Sequence, residues 1–378
     1  MPALHPDLDP DGLLELSVVF TDRSLNHMSG QFQQVMRDIS STLREVYAAD
    51  AVAVVPGGGT YAMEAVARQL ATDKHVLVIR NGLFSFRWSQ IFAAGSIPAS
   101  ETVLRARRAG SGDGAWVPFA PAPIDEVTAT IAQEKPAVVF APHVETASGM
   151  ILPDEYVAAV AAATHEVGGL FVLDCIASGA AWVNMRELGV DLVLSAPQKG
   201  WSASPSAGLV MMNEQAAEAV DAATSTSFAV DLGRWRAIMT AYENGGHAYH
   251  ATMPTDALRG FRDAMVETRQ IGWEPLRQAQ WEQGRRVREL LEERGLVSVA
   301  AEGFGAPGVV VCFTDDPEIQ SGRKFAAAGV QIAAGVPLQI DEGPEYQSFR
   351  LGLFGLDKLR DVDASVARIA AALDTVFG

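Results

Sequence analysis

A single lysine stands at a position where an amine could act as a nucleophile. Lys199 follows the apolar run DLVLSAPQ and is followed by Gly200, with no other basic residue as far as Met212. A lysine among proline, glycine and small residues differs from the solvated lysine of a helix face, and its pKa falls readily when it loses water. Such an amine can form a Schiff base with a carbonyl group. A lysine on a surface loop remains the alternative.

A carboxylate ends another apolar run. Asp174 closes the sequence LFVLD and is followed by Cys175 and Ile176. Burying a charge in such surroundings is costly unless a cation accompanies it. A protonated pyridine nitrogen would be such a partner, and the pairing would make the ring a stronger electron acceptor. A buried helix cap or an ordinary salt bridge is the alternative for Asp174.

Two further parts of the sequence contain residues of types that bind anions. Gly57, Gly58, Gly59 and Thr60 lie between an apolar run and a helical segment, and a helix N-terminus with free N–H groups favours a phosphate. A tight turn that needs glycine would give the same pattern. Arg350, in the run SFRLGLFG, requires a counter-anion, which could be a substrate carboxylate gripped through two hydrogen bonds.

A salt bridge to a nearby acidic residue is the alternative role for this arginine. Glu342 and Glu345 are the acidic residues closest to it in the chain. From the residues alone, both interpretations of Arg350 stay open.

The elements that must position these residues alternate between strand and helix. Apolar runs of strand length occur at 51–55, 75–80, 137–143, 170–175 and 191–196, and each is followed by turn residues or a helical segment. This alternation predicts an α/β fold with a mostly parallel sheet. Ligands of such sheets bind at the carboxyl ends of the strands, where the residues discussed above lie.

The chain is predicted to divide into a large and a small domain. Residues 30–48 have helical spacing, whereas 255–294 form a long amphipathic helical stretch that we expect to be broken only at Pro275. Beyond it, GVVVCFT, SGRKFAAAG, SFRLGLF and a terminal helix from about Asp361 predict an α+β unit. We therefore expect an N-terminal segment (1–20), a large cofactor-binding domain (21–258) and a small C-terminal domain (259–378).

Composition excludes several classes of protein. With 378 residues and 48% hydrophobic content the chain can bury a core in each domain. A net charge of −17 disfavours nucleic acid as a partner. Cys175 and Cys312 lie in apolar runs, which indicates reduced thiols and a cytoplasmic protein. No secretory signal, membrane span or metal-ligand spacing is expected.

The stretch FVLDCIASGAAWVNMRELGVDLVLSAPQKG resembles the class V aminotransferases of fold type I, closest in pattern to alanine–glyoxylate and serine–pyruvate aminotransferases. The resemblance extends from about Gly57 to Gly355. It implies a large domain with a mostly parallel sheet of seven strands covered by helices, a smaller α+β domain, and pyridoxal 5′-phosphate (PLP) as the cofactor.

The resemblance also implies residues around the cofactor ring. Lys199 matches the lysine that holds PLP as a Schiff base, and Asp174 matches the partner of the pyridine nitrogen. Phe84, in RNGLFSFRW, matches the aromatic residue stacked on the ring. Aromatic rings attract each other in stacked arrangements, so a phenylalanine suits this role. Ile176 matches the residue on the other face, and Thr146, in HVETASG, matches the hydroxyl residue near the phenolic oxygen.

Another set of matched residues concerns the phosphate. Gly58, Gly59 and Thr60 match the phosphate-binding turn, and Gln198 belongs to the family's Gln-Lys pair.

The remaining matches imply a second subunit and a substrate site. Tyr249 and Thr252, in YHAT, match a segment that reaches the phosphate of the neighbouring subunit, so a homodimer with active sites at its interface is implied. Arg350 matches the arginine that holds the substrate carboxylate.

The implied reaction is a ping-pong transamination from a small amino acid, alanine-like or serine-like, to glyoxylate or pyruvate. Two departures leave the substrate open: the N-terminal G-P motif is absent, and SASPSAG replaces the usual P-P-G turn after Lys199. The alternatives are another PLP reaction on the same fold, such as a lyase or a cysteine desulfurase, and a descendant that only binds a ligand or partner. A desulfurase needs a reactive cysteine on a mobile loop.

Overall fold

The computed structural model of the chain describes residues 9–17, 24–110 and 116–378, and strands and helices alternate along them. The strands are β1 (Ala51–Pro56), β2 (His75–Arg80), β3 (Ser100–Arg105), β4 (Arg107–Arg108), β5 (Phe119–Ala120), β6 (Val138–Pro142), β7 (Val144–Glu145), β8 (Met150–Ile151), β9 (Leu170–Asp174), β10 (Leu192–Ser195), β11 (Ala207–Met212), β12 (Val309–Phe313), β13 (Ala333–Ala334) and β14 (Ser348–Gly352).

The helices lie between these strands and after them. They are α1 (Gly30–Tyr47), α2 (Gly59–Leu70), α3 (Leu83–Gly95), α4 (Ile124–Glu134), α5 (Asp154–Glu166), α6 (Met185–Leu188), α7 (Glu214–Ala222), α8 (Leu232–Glu243), α9 (Thr255–Ile271), α10 (Trp273–Glu292), α11 (Pro317–Gln320), α12 (Arg323–Ala327), α13 (Leu356–Leu359) and α14 (Val362–Phe377).

A seven-stranded sheet is the largest sheet of the described structure, in the order β1-β11-β10-β9-β6-β2-β3. The pairs β10–β9, β9–β6, β6–β2 and β2–β3 are parallel, whereas β11 runs antiparallel to both of its neighbours. The prediction of an α/β fold with a mostly parallel sheet is confirmed. Every residue of β6, β9, β10 and β11 is buried, which explains why these strands are continuous apolar runs and do not alternate.

Helices cover both faces of the sheet. In α1 the Ser29 hydroxyl caps the first turn by accepting the Phe32 N–H at 3.1 Å, and the apolar stripe that begins with Phe32 is buried. The helix ends where Ala48 adopts a left-handed conformation. The helix predicted for residues 30–48 is therefore confirmed.

The long C-terminal helical stretch breaks at a different residue from the one expected. Gly272, with φ of 104°, separates α9 from α10, and Pro275 lies within the first turn of α10. The prediction of a break at Pro275 was wrong. In the first turn of a helix the N–H that proline lacks has no partner within the helix, so Pro275 is tolerated there, whereas Gly272 adopts a backbone conformation that other residues avoid.

The C-terminal part contains a three-stranded antiparallel sheet, β12-β14-β13, packed with α10 and α14 around its own apolar core. A second apolar cluster joins it to the large domain through residues such as Ala147, Met150 and Val311. The expected boundary near residue 258 stays a prediction. The expected N-terminal segment, 1–20, lies partly outside the described residues.

Both cysteines, Cys175 and Cys312, are buried and free. Among the described helices, none has the length and apolar character needed to cross a membrane.

Candidate active site

Five connections meet at one edge of the central sheet. β1, β2, β6, β9 and β10 all point the same way, because β1 and β10 are both antiparallel to β11 and the others are parallel to β10. The residues that follow their carboxyl ends therefore share one edge. They comprise the glycine turn after β1, Phe84 after β2, Thr146 after β6, Ile176 after β9, and Gln198 with Lys199 after β10.

The turn between β1 and α2 has little room for side chains. Gly57 has φ of 125°, which favours glycine. A Cβ on Gly59 would lie 2.5 Å from Cδ1 of Ile176, so the backbone of the turn and Ile176 are in direct contact. Gly58 caps α2 and Thr60 is exposed in its first turn. The first backbone N–H groups of a helix have no acceptor within it, so this turn can bind an anion.

Asp174 is a buried carboxylate that has no cationic partner among the described residues. Its side chain is 7% exposed and accepts one hydrogen bond, from the Ile176 N–H at 2.9 Å. Across the described chain, no lysine, arginine or histidine forms an ion pair with it. Burial raises the pKa of Asp174 to about 7, the Ile176 N–H opposes this, and the charge of Glu145 adds to it. The site therefore lacks a positive charge at the Asp174 carboxylate.

Lys199 has an unusual environment for a lysine. Burial lowers its pKa, and the positive charge of Arg350 lowers it further. The Nζ atom lies 5.4 Å from the centre of the Phe354 ring, and within the described residues it forms no ion pair. The neighbouring Gln198 has a buried Oε1 atom for which the described residues provide no hydrogen-bond donor. Both side chains are therefore free to bind a ligand.

Glu145 is a residue of this site that the sequence interpretation missed. Its fully buried carboxylate accepts hydrogen bonds from the N–H groups of Phe84 (3.2 Å), Ser85 (2.8 Å) and Ala147 (3.0 Å), and from the Ser85 hydroxyl (2.7 Å). Burial raises its pKa, while these hydrogen bonds oppose the rise. Glu145 thus joins the first turn of α3, which carries Phe84, to the segment that carries Thr146.

The C-terminal part of the chain contributes Arg350, which lies in β14. Its Nε donates to the Ala334 carbonyl at 2.8 Å, and its guanidinium lies 5.7 Å from the centre of the Phe84 ring. Burial lowers the pKa of Arg350, and Glu145 opposes this.

The two carboxylates considered as salt-bridge partners of Arg350 have other contacts. Glu342 accepts N–H groups of Leu338 (2.6 Å), Gln339 (3.2 Å) and Ile340 (3.0 Å). Glu345 lies 3.6 Å from Arg108. Among the described residues Arg350 forms no ion pair, so its guanidinium can bind a carboxylate.

Tyr249 and Thr252 lie apart from this group. The Tyr249 hydroxyl is 3.3 Å from the Thr252 hydroxyl, and the Tyr249 ring is 56% exposed. In the described part of the chain, no hydrogen bond or ring contact joins either residue to Lys199, Asp174 or the glycine turn.

The residues present fit PLP. The turn before α2 offers N–H groups for a phosphate, Asp174 needs a cation of the kind that a protonated pyridine supplies, and Lys199 offers a desolvated amine for a carbonyl. The orphaned carboxylate of Asp174 is the most specific of these observations.

Comparisons with known proteins agree with this chemistry. Residues 14–335 match the model of the aminotransferase class-V family. The chain is 26% identical to the alanine–glyoxylate aminotransferase 1 of Saccharomyces cerevisiae, covering 88% of this chain and 86% of the relative. It is also 26% identical to a protein named soluble hydrogenase, small subunit, of Synechococcus sp., covering 92% and 87%.

Solved structures show the same fold. The alanine–glyoxylate aminotransferase of Nostoc sp. superimposes with a TM-score of 0.79 at 23% identity, covering 94% of this chain and 89% of that one. The family match spans most of the chain, and the site fits the cofactor of that family. The chain belongs to the class-V aminotransferases, PLP-dependent enzymes of fold type I.

Proposed function

We propose that the protein transfers the amino group of a small, alanine-like or serine-like amino acid to glyoxylate or pyruvate, and that the first product leaves before the second substrate binds. The observation that carries this proposal is that two buried basic side chains, Lys199 and Arg350, are close enough for the charge of Arg350 to lower the pKa of Lys199, and that neither forms an ion pair within the described chain. An α-amino acid has the complementary carboxylate, and its Cα–H bond is the one that transamination must break.

The Arg350 guanidinium would hold the substrate carboxylate through two parallel hydrogen bonds. Its position beside the Phe84 ring, 5.7 Å from the ring centre, would orient the substrate against the cofactor plane. With its carboxylate fixed, the substrate would direct its Cα–H bond at Lys199, and this orientation would lower the barrier to proton transfer.

Lys199 would attach the cofactor and then act as the base and acid of the reaction. Because burial lowers the pKa of its amine, a larger fraction is neutral and can accept the Cα proton near neutral pH. When bound, PLP supplies the electron-withdrawing ring that stabilises negative charge developing at Cα. The Asp174 carboxylate would hold the positive charge at the ring nitrogen, and Phe84 and Ile176 would fix the ring between them.

The alternative reactions on this fold receive less support. A cysteine desulfurase needs an accessible thiolate. Cys175 and Cys312 are both buried, and burial raises the pKa of each thiol, that of Cys312 to about 12.

We also propose that the protein is a cytoplasmic homodimer. Tyr249 and Thr252 would complete the phosphate site of the partner subunit, which is consistent with the exposure of Tyr249 and with the absence, among the described residues, of a hydrogen bond from either residue to its own subunit's glycine turn. The free, buried state of Cys175 and Cys312 suits a reducing compartment.

A half-reaction screen tests the proposed activity. The holoenzyme is mixed with each amino acid in the absence of an acceptor, and the cofactor's absorbance and the products are measured. We expect a small amino acid to bleach the cofactor and to release one equivalent of its 2-oxo acid per active site, and glyoxylate or pyruvate to restore the absorbance. Release of ammonia or sulfide under catalytic turnover would instead indicate a lyase or desulfurase and contradict the proposal.

A further inference from the structure

The segment that follows Lys199 contains a buried hydroxyl with no assigned role. Ser206 belongs to the run SASPSAG, which departs from the family's P-P-G turn. The residue is only 5% exposed, and its Oγ atom is buried with no hydrogen-bond partner in the described chain. Leaving a buried hydroxyl unsatisfied is unfavourable, so the position points to a partner that the polypeptide does not supply.

The backbone around Ser206 indicates where this hydroxyl faces. The Gly57 N–H donates to the Ser206 carbonyl at 2.9 Å, which extends the ladder between β1 and β11 by one step beyond the pair Pro56 and Ala207. A Cβ on Gly208 would lie 2.7 Å from the Gly58 carbonyl oxygen and 3.0 Å from the Ala62 nitrogen. Gly208 therefore faces the first turn of α2.

Residues two apart on a strand face the same side of the sheet. Ser206 thus faces the side on which α2 begins, next to the glycine turn. α2 has twelve residues, and its first N–H groups, those of Gly59 and Thr60 among them, lack acceptors within the helix. The helix terminus and the unpartnered hydroxyl are independent features that favour the same kind of ligand, an anion with several acceptor oxygens.

We propose that the Ser206 hydroxyl donates a hydrogen bond to the phosphate group of the cofactor and is a phosphate ligand additional to the turn at Gly58, Gly59 and Thr60. This rests on the proposed function, since it takes the anion to be the phosphate of PLP. A hydroxyl can rotate to direct its hydrogen at an acceptor, whereas a side-chain amide oxygen such as the buried Oε1 of Gln198 can only accept. Ser206 and the helix N-terminus together provide donors on two sides of one anion.

The test measures cofactor affinity and not turnover. The cofactor is removed from the full-length protein, and equilibrium binding of PLP, of pyridoxal, which lacks the phosphate, and of inorganic phosphate is measured for the parent and for Ser206→Ala and Ser206→Cys. We expect both variants to bind PLP and inorganic phosphate about tenfold more weakly, the scale of a hydrogen bond to a charged group, and to bind pyridoxal as the parent does. Ser206→Cys nearly preserves the side-chain volume but donates poorly, which separates hydrogen bonding from packing.

A matched control is Ser365→Ala, which removes a buried hydroxyl of α14 that accepts from Gln283 at 2.8 Å, in the small domain. It should leave the affinity for all three probes unchanged. Equal weakening of PLP and pyridoxal binding by the Ser206 variants, or parent-like PLP binding in Ser206→Cys, would overturn the inference. Failure of the parent to bind PLP would contradict the proposed function itself, so the two failures are distinguishable.

Discussion

At the residue scale, the site consists of buried ionisable side chains that have no ion-pair partner among the described residues. Asp174, Lys199 and Arg350 each have a pKa displaced in the direction that disfavours the charged form, and desolvation is the largest cause for each. Charged groups held in this way are costly for the folded chain. The cofactor and substrate would supply the missing opposite charges, so their binding energy would offset that cost.

Replacing Asp174 by asparagine tests whether its buried charge destabilises the cofactor-free protein. Because burial raises the pKa of Asp174 to about 7, the folded protein binds a proton between about pH 4 and pH 7 that the unfolded chain has released. The cofactor-free parent therefore loses stability as the pH rises through this window. At pH 8, cofactor-free Asp174→Asn should be more stable than the cofactor-free parent by up to about 4 kcal/mol.

Thermal unfolding between pH 4 and pH 8 measures this difference. The stabilities of the cofactor-free parent and variant should become equal toward pH 4. A difference in stability that stays constant with pH would exclude the charge of Asp174 as its cause. With cofactor and substrates present, turnover of Asp174→Asn should fall about 10²–10³-fold, the scale of losing one group that stabilises charge.

Arg350 provides a second test at the residue scale. Losing a bidentate contact to the substrate carboxylate should lower kcat/KM by an amount equivalent to about 2–4 kcal/mol, with PLP affinity little changed. Because lysine lacks the planar fork, Arg350→Lys should be nearly as poor as Arg350→Ala. Steady-state kinetics with every amino acid that the parent uses would check this, and near-normal kcat/KM in both variants would mean that the carboxylate is held elsewhere.

At the scale of elements, the site depends on contacts between segments far apart in the chain. Glu145 lies in β7, which pairs with β8. Its carboxylate accepts hydrogen bonds from the N–H groups of Phe84 and Ser85 at the N-terminus of α3, which are 61 and 60 positions earlier in the chain. The negative carboxylate also complements the positive end of the helix dipole. The contact determines where the Phe84 ring lies relative to Thr146.

Glu145→Gln should weaken the contact between residue 145 and the N-terminus of α3. Each carboxylate oxygen accepts two hydrogen bonds, so either orientation of the amide places its NH₂ group against two donors. We expect a loss of about 1–3 kcal/mol in the free energy of unfolding, measured by denaturant titration of the holoenzyme. Glu166→Gln, an exposed position at the end of α5, is the control and should change stability little. Parent-like stability of Glu145→Gln would show that the carboxylate hydrogen bonds contribute nothing net.

Local patterns predicted the elements, and long-range contacts limited the prediction of the site. The apolar run AVAVV, the glycine turn and the helical segment TYAMEAVARQL after it predicted β1, the turn and α2, because apolar composition, glycine and helix formers act locally. The helix break at Gly272 was misassigned to Pro275, since proline in a first turn causes no break. Glu145 and Ser206 were missed because their surroundings come from distant segments. A glutamate within the apolar run VVFAPHVE was the available signal for Glu145.

At the scale of the whole molecule, the chain has a net charge of −17, so its average surface repels anions. The positive charge of Arg350 lowers the pKa of Lys199, so an anionic ligand bound near both side chains would relieve the repulsion between them. The overall charge favours solubility, whereas substrate binding depends on these two side chains.

The proposed dimer gives a prediction at this scale. If Tyr249 and Thr252 bind the phosphate of the partner subunit, PLP should shift the monomer–dimer equilibrium toward the dimer. The double variant Tyr249→Phe, Thr252→Ala should weaken both dimerisation and PLP affinity, by about tenfold for the cofactor. Sedimentation or mass photometry over a dilution series, with and without PLP, would measure this. A fully active monomer at high dilution would contradict it.

The central claim, that Lys199 holds the cofactor, is tested most directly by reduction and peptide mapping. The holoenzyme is treated with borohydride, digested and analysed by mass spectrometry, beside Lys199→Ala loaded with PLP. We expect the mass of the reduced cofactor on the peptide that contains Lys199, and no fixed cofactor in Lys199→Ala, which should still fold and bind PLP without a covalent bond. Cofactor fixed on another lysine in either protein would contradict the account.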